Sequence, residues 1–111
     1  MSAAYVPARG DVIWMNFDPQ AGHAQAGHRP ALVLSPRDYN ALRGMAIVCP
    51  MTSKRKKYVF EVVVSEEPPS VVLADQIKSI DWRSRGAERK GRVAPHVVEA
   101  VLAKVHLLLE P

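Results

Sequence analysis

Short apolar runs follow one another along most of this sequence, and each is interrupted by proline, glycine or charged residues. The runs are rich in Val, Ile and aromatic residues, which favour strands. Only the last segment differs, because from Pro95 onward the apolar residues recur at spacings of three and four, as on one face of a helix. Many short strands followed by one helix predict a mainly β (α+β) protein, in which a strongly bent sheet or small barrel is covered by the terminal helix.

The turn residues between these runs set the expected element boundaries. The polar stretch 18–30 contains two glycines and little apolar content, so it is expected to be a long, mobile loop. The glycines of the basic segment 83–92 suggest a hairpin turn. We expect strands over 12–17, 31–35, 45–51, 58–64, 71–74 and 76–80, a short helix over 36–43 and a terminal helix from Pro95.

The length of 111 residues predicts one domain, residues 1–111, with a modest core. Hydrophobic residues make up 48% and charged residues 23%, the balance of an ordinary globular domain. No apolar run reaches the roughly 20 residues that a transmembrane helix needs, and residues 1–10 lack the apolar core of a secretory signal. Cys49 is the only cysteine, which excludes an internal disulfide, so we expect it to pack in the core of a cytoplasmic protein.

The charge of the chain favours an anionic partner, either nucleic acid or an acidic protein. The formal net charge is +4, and nine of the fifteen basic residues fall in two stretches. Such stretches are also typical of solvated loops, so charge alone does not decide between these interpretations. The two stretches are Lys54, Arg55, Lys56 and Lys57, and then Arg83, Arg85, Arg89, Lys90 and Arg92.

Several kinds of site are disfavoured by the motifs that the sequence lacks. The carboxylates are scattered; Asp18, Asp75 and Asp81 could meet in space, but aspartates in such positions commonly cap turns. The histidines show no ligand spacing, and neither a Gly-x-Ser-x-Gly elbow nor a phosphate-binding loop motif occurs. We therefore expect neither a metal nor another cofactor. Two polar segments remain as candidates: the end of the glycine loop, Gly27-His28-Arg29-Pro30, and the strand end Cys49-Pro50-Met51-Thr52-Ser53, which runs into the basic loop.

Several segments along the chain together form a specific pattern: Tyr5-Val6-Pro7, Gly10-Asp11, Trp14-Met15-Asn16-Phe17-Asp18-Pro19, Gln25-Ala26-Gly27-His28-Arg29-Pro30-Ala31, Leu34-Ser35-Pro36, Pro50-Met51-Thr52-Ser53 and Leu73-Ala74-Asp75-Gln76-Ile77-Lys78-Ser79-Ile80. In these segments the chain resembles the MazF/PemK group of toxin endoribonucleases, which are paired in cells with MazE-type antitoxins. The resemblance implies an SH3-like barrel with added helices and a homodimer. With the nine basic residues of the two stretches, it leads us to expect an acidic antitoxin whose flexible C-terminal segment lies in a basic groove.

This resemblance implies that Arg29 and Thr52 are catalytic. A guanidinium can hold the negative charge that develops on the phosphoryl oxygens during RNA cleavage, and a hydroxyl can donate a hydrogen bond to the departing oxygen. The best-known relatives often carry a glutamate in the first loop, where this chain has Ala24. Without that carboxylate, His28 or His23 becomes a candidate base, although either could instead shape the loop.

A larger set of residues is expected to bind RNA, through charge, hydrogen bonds or stacking on aromatic rings. Tyr58 and Trp82 are further aromatic candidates for stacking, with core packing the alternative for Trp82. Trp14 is expected in the core or at a dimer contact. The predicted RNA-binding residues are Phe17, Gln25, Ser53, Lys54, Lys56, Lys57, Gln76, Lys78, Ser79 and Arg85.

The expected function is metal-independent, sequence-specific cleavage of single-stranded RNA, with mRNA as substrate, leaving 2′,3′-cyclic phosphate and 5′-hydroxyl ends. Two alternatives belong to other functional classes. A basic barrel could bind nucleic acid without cleaving it, and a CcdB-like toxin shares the fold but inhibits DNA gyrase. The Arg29 and Thr52 pair favours the ribonuclease.

Overall fold

The computed structural model describes residues 5–16 and 28–110; for Met15, Asn16 and His28 it describes the backbone only. Most of the expected loop 18–30 therefore lies outside the described residues, and its last three residues belong to a strand. The elements in chain order are β1 Asp11–Asn16, β2 His28–Val33, α1 Arg37–Arg43, β3 Ala46–Thr52, β4 Glu61–Glu66, β5 Pro69–Leu73, a 3₁₀ turn Ala74–Gln76, β6 Lys78–Ile80, β7 Glu88–Arg92 and α2 Pro95–Leu109.

The seven strands form one antiparallel sheet in the order β4-β5-β3-β2-β1-β7, with β6 also paired to β3. β3 bends between two partners, because its first half pairs with β6 and its end pairs with β5. Within the described residues β4 and β7 do not pair, so the sheet is open. The mainly β class and the terminal helix are confirmed, whereas the implied barrel is not closed by strand pairing.

Two apolar clusters lie on opposite sides of the sheet. Because successive strand residues face opposite sides, Val12 of β1 joins the cluster under α2 and Ile13 joins the other cluster. Val101 of α2 is fully buried in the first cluster. Cys49 is also buried there, which confirms its predicted core position, and burial raises the pKa of its thiol to about 12.

Trp82 belongs to the second cluster and is not an RNA platform. Its side chain is buried, and the indole Nε1 donates a hydrogen bond to the Asn40 carbonyl oxygen at 3.0 Å. Asn40 is itself fully buried, and its amide donates to the carbonyl oxygens of Pro7 and Ser35. This satisfied polar network fixes α1 against the sheet, so core packing is the correct interpretation of Trp82.

Some element boundaries differ from the sequence prediction. Strand β4 begins at Glu61 and not at Tyr58, because residues 58–60 form a turn in which the Glu61 amide donates to the Tyr58 carbonyl at 3.1 Å. In the predicted strand 76–80, Gln76 is the last residue of the 3₁₀ turn, and the observed strand β6 spans only Lys78–Ile80. Residues 83–92 are not a hairpin, since β7 pairs with β1, some 80 positions earlier in the chain. A local pattern carries no signal for such a distant partner.

In the described part of the chain, no helix has the length and apolar character needed to cross a membrane.

Candidate active site and nucleic-acid interface

A cleft of about 750 Å³ opens where β2 begins and β3 ends. These two strands are antiparallel neighbours with Ala31 opposite Pro50, so the start of β2, which carries Arg29, lies beside the end of β3, which carries Thr52. Residues 23 positions apart thus meet in one cleft because of strand pairing. The lining residues are Arg29, Pro30, Met51, Thr52, Ser53, Lys54, Lys56, Tyr58, Leu73, Asp75 and Gln76.

The Thr52 side chain is held by the backbone that follows it. Its Oγ1 accepts a hydrogen bond from the Lys54 amide at 3.1 Å, a local turn that threonine commonly makes. This contact uses a lone pair of the oxygen and leaves the hydroxyl proton for donation to a ligand. Arg29 is exposed at the start of β2, so its guanidinium can reach an anion in the cleft.

Tyr58 and Asp75 form one wall of the cleft. The phenol donates a 2.5 Å hydrogen bond to Asp75 Oδ1, and this bond is the main cause that raises the pKa of Tyr58 to about 12. Asp75 lies in the 3₁₀ turn that follows β5. The sequence prediction missed Asp75 as a cleft residue and treated it as a turn cap. The position of Asp75 in the cleft follows from the pairing of β5 with β3. In the sequence, only the family resemblance of residues 73–80 could have indicated this position.

Between Thr52 and β4 runs the basic loop, residues 53–60. The Glu61 carboxylate accepts hydrogen bonds from the amides of Lys56 at 2.6 Å and Lys57 at 3.0 Å. These bonds, the Lys56 bond foremost, lower the pKa of Glu61. Lys57 has φ of +57°, a left-handed backbone that few residues other than glycine adopt. Both ends of the loop rest on β5, because Thr52 pairs with Val71 and Glu61 with Leu73.

The second basic stretch lies outside the cleft, and several of its members contact the body of the fold. Asp11, buried at the start of β1, accepts from Arg92 Nη1 at 2.8 Å and lies 3.7 Å from Arg89 Nε. The Tyr5 hydroxyl donates to the same carboxylate at 2.6 Å, and burial with this bond raises the pKa of Tyr5. Arg83 stacks over Trp82 with 5.1 Å between the guanidinium carbon and the ring centre. These arginines therefore stabilise the fold.

The structure brings six of the predicted site residues into the cleft: Arg29, Thr52, Ser53, Lys54, Lys56 and Gln76. Four others lie outside its lining, namely Lys57, Lys78, Ser79 and Arg85. Phe17, His23 and Gln25 lie outside the described residues, as does the side chain of His28. Across residues 5–16 and 28–110, no three His, Cys, Asp or Glu side chains come together in a group that could hold a metal ion.

Comparison with known proteins places the chain in a family. Residues 8–109 match the family described as PemK-like, MazF-like toxin of type II toxin-antitoxin system. The endoribonuclease toxin MazF of Escherichia coli K12 is 53% identical over 110 residues, which cover 98% of this chain and 99% of the relative. The endoribonuclease toxin ChpB of the same strain is 39% identical, with 92% and 93% covered.

Solved structures agree with this assignment. The crystal structure of MazF from Deinococcus radiodurans has a TM-score of 0.85 at 48% identity and covers 96% of this chain and 98% of that chain. A MazE-MazF complex from the same organism has a TM-score of 0.83 at 42% identity, with 96% and 97% covered. With a near full-length match in sequence and in fold, the chain belongs to the PemK-like, MazF-like toxins of type II toxin-antitoxin systems.

Proposed function

We propose that this chain is the endoribonuclease toxin of a type II toxin-antitoxin pair and cuts single-stranded RNA in the cleft between β2 and β3. The single observation that carries the proposal is the placement of Arg29 and Thr52 together in a cleft that also presents Lys54 and Lys56. Its relatives from Escherichia coli are named endoribonucleases, which supports the same activity here.

The proposed reaction is an internal transesterification of RNA. The 2′-oxygen attacks the adjacent phosphorus, a new O–P bond forms, and the bond from phosphorus to the 5′-oxygen breaks. The products are a 2′,3′-cyclic phosphate and a 5′-hydroxyl, so one proton leaves the 2′-hydroxyl and one reaches the 5′-oxygen. Arg29 stabilises the charge on the phosphoryl oxygens, and the Thr52 hydroxyl donates to the departing 5′-oxygen. This chemistry draws on no metal ion.

The proton acceptor in this scheme is His28 or His23, since Ala24 supplies no carboxylate. Asp75 is the carboxylate among the described residues that line the cleft. Its Oδ1 accepts a hydrogen bond from the Tyr58 hydroxyl. We propose that Asp75, through this hydrogen bond, orients the Tyr58 side chain on the cleft wall.

We also propose the partners and place of action. A MazE-MazF complex has been solved for a relative at 42% identity, which supports a MazE-like antitoxin for this chain. A homodimer fits the small core that one 111-residue chain can bury. RNA as substrate and a single reduced, buried cysteine both fit the cytoplasm.

Single substitutions in the cleft test the reaction. Arg29→Ala is expected to lower the single-turnover cleavage rate by about a hundredfold to a thousandfold, the usual loss for one electrostatic donor, while RNA affinity falls only a few fold. Thr52→Ala should behave alike, and Thr52→Ser should retain partial activity because the hydroxyl survives. Arg37→Ala, which removes an exposed arginine of α1, is the matched control and should cleave like the parent chain.

Rates and filter-binding affinities are measured on one short RNA, with and without excess EDTA. Cleavage by Arg29→Ala within a few fold of the parent, or loss of all activity in EDTA, would contradict the mechanism. Intact RNA together with inhibited gyrase would favour the CcdB-like alternative.

A further inference from the structure

We propose that Glu61 is a positioning residue that holds the basic loop in the shape that binds RNA, and so sets the register of Lys54 and Lys56 on the substrate. The inference rests on the proposed function of the cleft. It assigns a role to a carboxylate that touches neither the cleft nor the reacting atoms.

The first step of the argument is the position of the Glu61 side chain. It is only 2% exposed although it lies at the first residue of an edge strand. One oxygen accepts from the Lys56 amide at 2.6 Å, and the other accepts from the Lys57 amide at 3.0 Å and lies 3.7 Å from Arg55 Nε. Both carboxylate oxygens are therefore used by the loop.

The second step is the alternation of side chains along the loop. Lys54 and Lys56 line the cleft, whereas Arg55 between them turns toward Glu61 and donates to Glu66 at 2.9 Å. The backbone is fixed at the two cleft-facing lysines, because the Lys54 amide donates to Thr52 and the Lys56 amide to Glu61. Thr52 and Glu61 thus fix the spacing between the candidate catalytic hydroxyl and both cations.

The third step concerns two effects that destabilise the folded loop and that Glu61 opposes. Four consecutive basic residues repel one another, and Lys57 holds a left-handed backbone that a lysine adopts at a cost. A buried carboxylate with two amide hydrogen bonds opposes both effects before RNA arrives. The loop is then preorganised, and the substrate does not bear the entropy of ordering it.

The direction in which Glu61→Gln changes RNA affinity distinguishes a positioning role from a purely electrostatic one. Glu61→Gln removes a negative charge near the cleft, and a charge effect alone would strengthen RNA binding. Glutamine retains one acceptor oxygen for two amides, so loss of positioning weakens binding instead. Glu66→Gln is the matched control, because it makes the same charge change at a side chain that is 76% exposed and accepts a hydrogen bond from Arg55.

The experiment measures the affinity of both variants for a short RNA with a 2′-deoxy residue at the cut site, and kcat and KM on its cleavable counterpart. Glu61→Gln is expected to weaken affinity and raise KM by about tenfold, the cost of ordering one or two residues on binding, with kcat little changed. Glu66→Gln should bind as tightly as the parent or slightly more tightly.

A direct readout accompanies the affinity measurements. In the parent chain the amide proton signals of Lys56 and Lys57 should titrate together, at a pH below the ordinary value for glutamate, because their hydrogen bonds lower the pKa of Glu61. In Glu61→Gln this titration should be absent. If that variant fails to fold, Glu61→Asp keeps the charge with a shorter reach and should still raise KM.

The outcomes are distinguishable. A parent chain that neither binds nor cleaves RNA overturns the proposed function and this inference with it. A parent that cleaves, with Glu61→Gln matching or exceeding the RNA affinity of Glu66→Gln, overturns the positioning role alone.

Discussion

At the scale of single residues, the cleft and its basic loop depend on a few side chains whose partners lie in other parts of the chain or in the loop itself. Tyr58 donates to Asp75, 17 positions later, and Glu61 accepts from the amides of Lys56 and Lys57. Arg29 and Thr52 could be named through family resemblance, whereas the residue types of Asp75 and Glu61 do not indicate what each side chain contacts.

Lys57 provides a test of backbone strain. Lys57→Gly is expected to raise the free energy of unfolding by about 0.5 to 1 kcal/mol, because relief of a left-handed lysine outweighs the greater freedom of glycine in the unfolded chain. Urea unfolding followed by circular dichroism measures the change. Lys56→Gly is the control at a position without positive φ and should be neutral or destabilising. Equal stability changes in the two variants would contradict this account.

At the scale of elements, the terminal helix and most strands could be predicted, because amphipathic spacing and alternation are local properties. The helix prediction began at Pro95 and the observed α2 spans Pro95–Leu109. The partners of the strands could not be predicted in the same way. The basic segment 83–92 contains turn glycines, yet its strand pairs with β1, where Asp11 attracts Arg89 and Arg92. Pairing with a distant strand and the buried charge of Asp11 therefore determine the position of β7.

The contribution of α2 to stability can be measured by one core deletion. Val101 is fully buried between the helix and the sheet, so Val101→Ala is expected to lower the free energy of unfolding by about 2 kcal/mol. Leu107→Ala, on the same helix but 63% exposed, should change it by less than about 0.5 kcal/mol. Denaturant midpoints with unchanged slopes would establish both values, and similar losses in the two variants would refute the assignment of the buried face.

At the scale of the whole molecule, the excess positive charge is divided between two uses. The second basic stretch contributes arginines that contact Asp11 and Trp82, whereas the loop lysines 54 and 56 face the cleft. Composition gives the total of +4 but not this division, which requires the fold. An anionic partner is therefore expected to engage the cleft side, where lysines are available, more than the β7 side.

This division predicts how an acidic antitoxin binds. Its dissociation constant should rise by at least about tenfold between low and high salt, because exposed ion pairs are screened. Replacing Lys54 and Lys56 together by Gln should reduce the salt dependence measured by isothermal titration calorimetry. Replacing Arg37 and Arg43 of α1 by Gln removes the same charge elsewhere and should leave the slope unchanged. If the affinity for the antitoxin did not depend on salt, an electrostatic contribution of these lysines to binding would be ruled out.

The anchoring of both ends of the basic loop on β5 has a consequence for how such toxins diversify. Thr52 and Glu61 pair with residues only two positions apart, so strand pairing with β5 holds the backbone at both ends of the loop. Closing a longer loop costs little, about 0.6 kcal/mol for each doubling of length. Insertions and deletions there can therefore change which RNA is contacted without displacing the hydroxyl at the strand end. The loop can therefore vary in length and sequence while the strands around it stay the same, and such variation can give new RNA targets with little loss of stability.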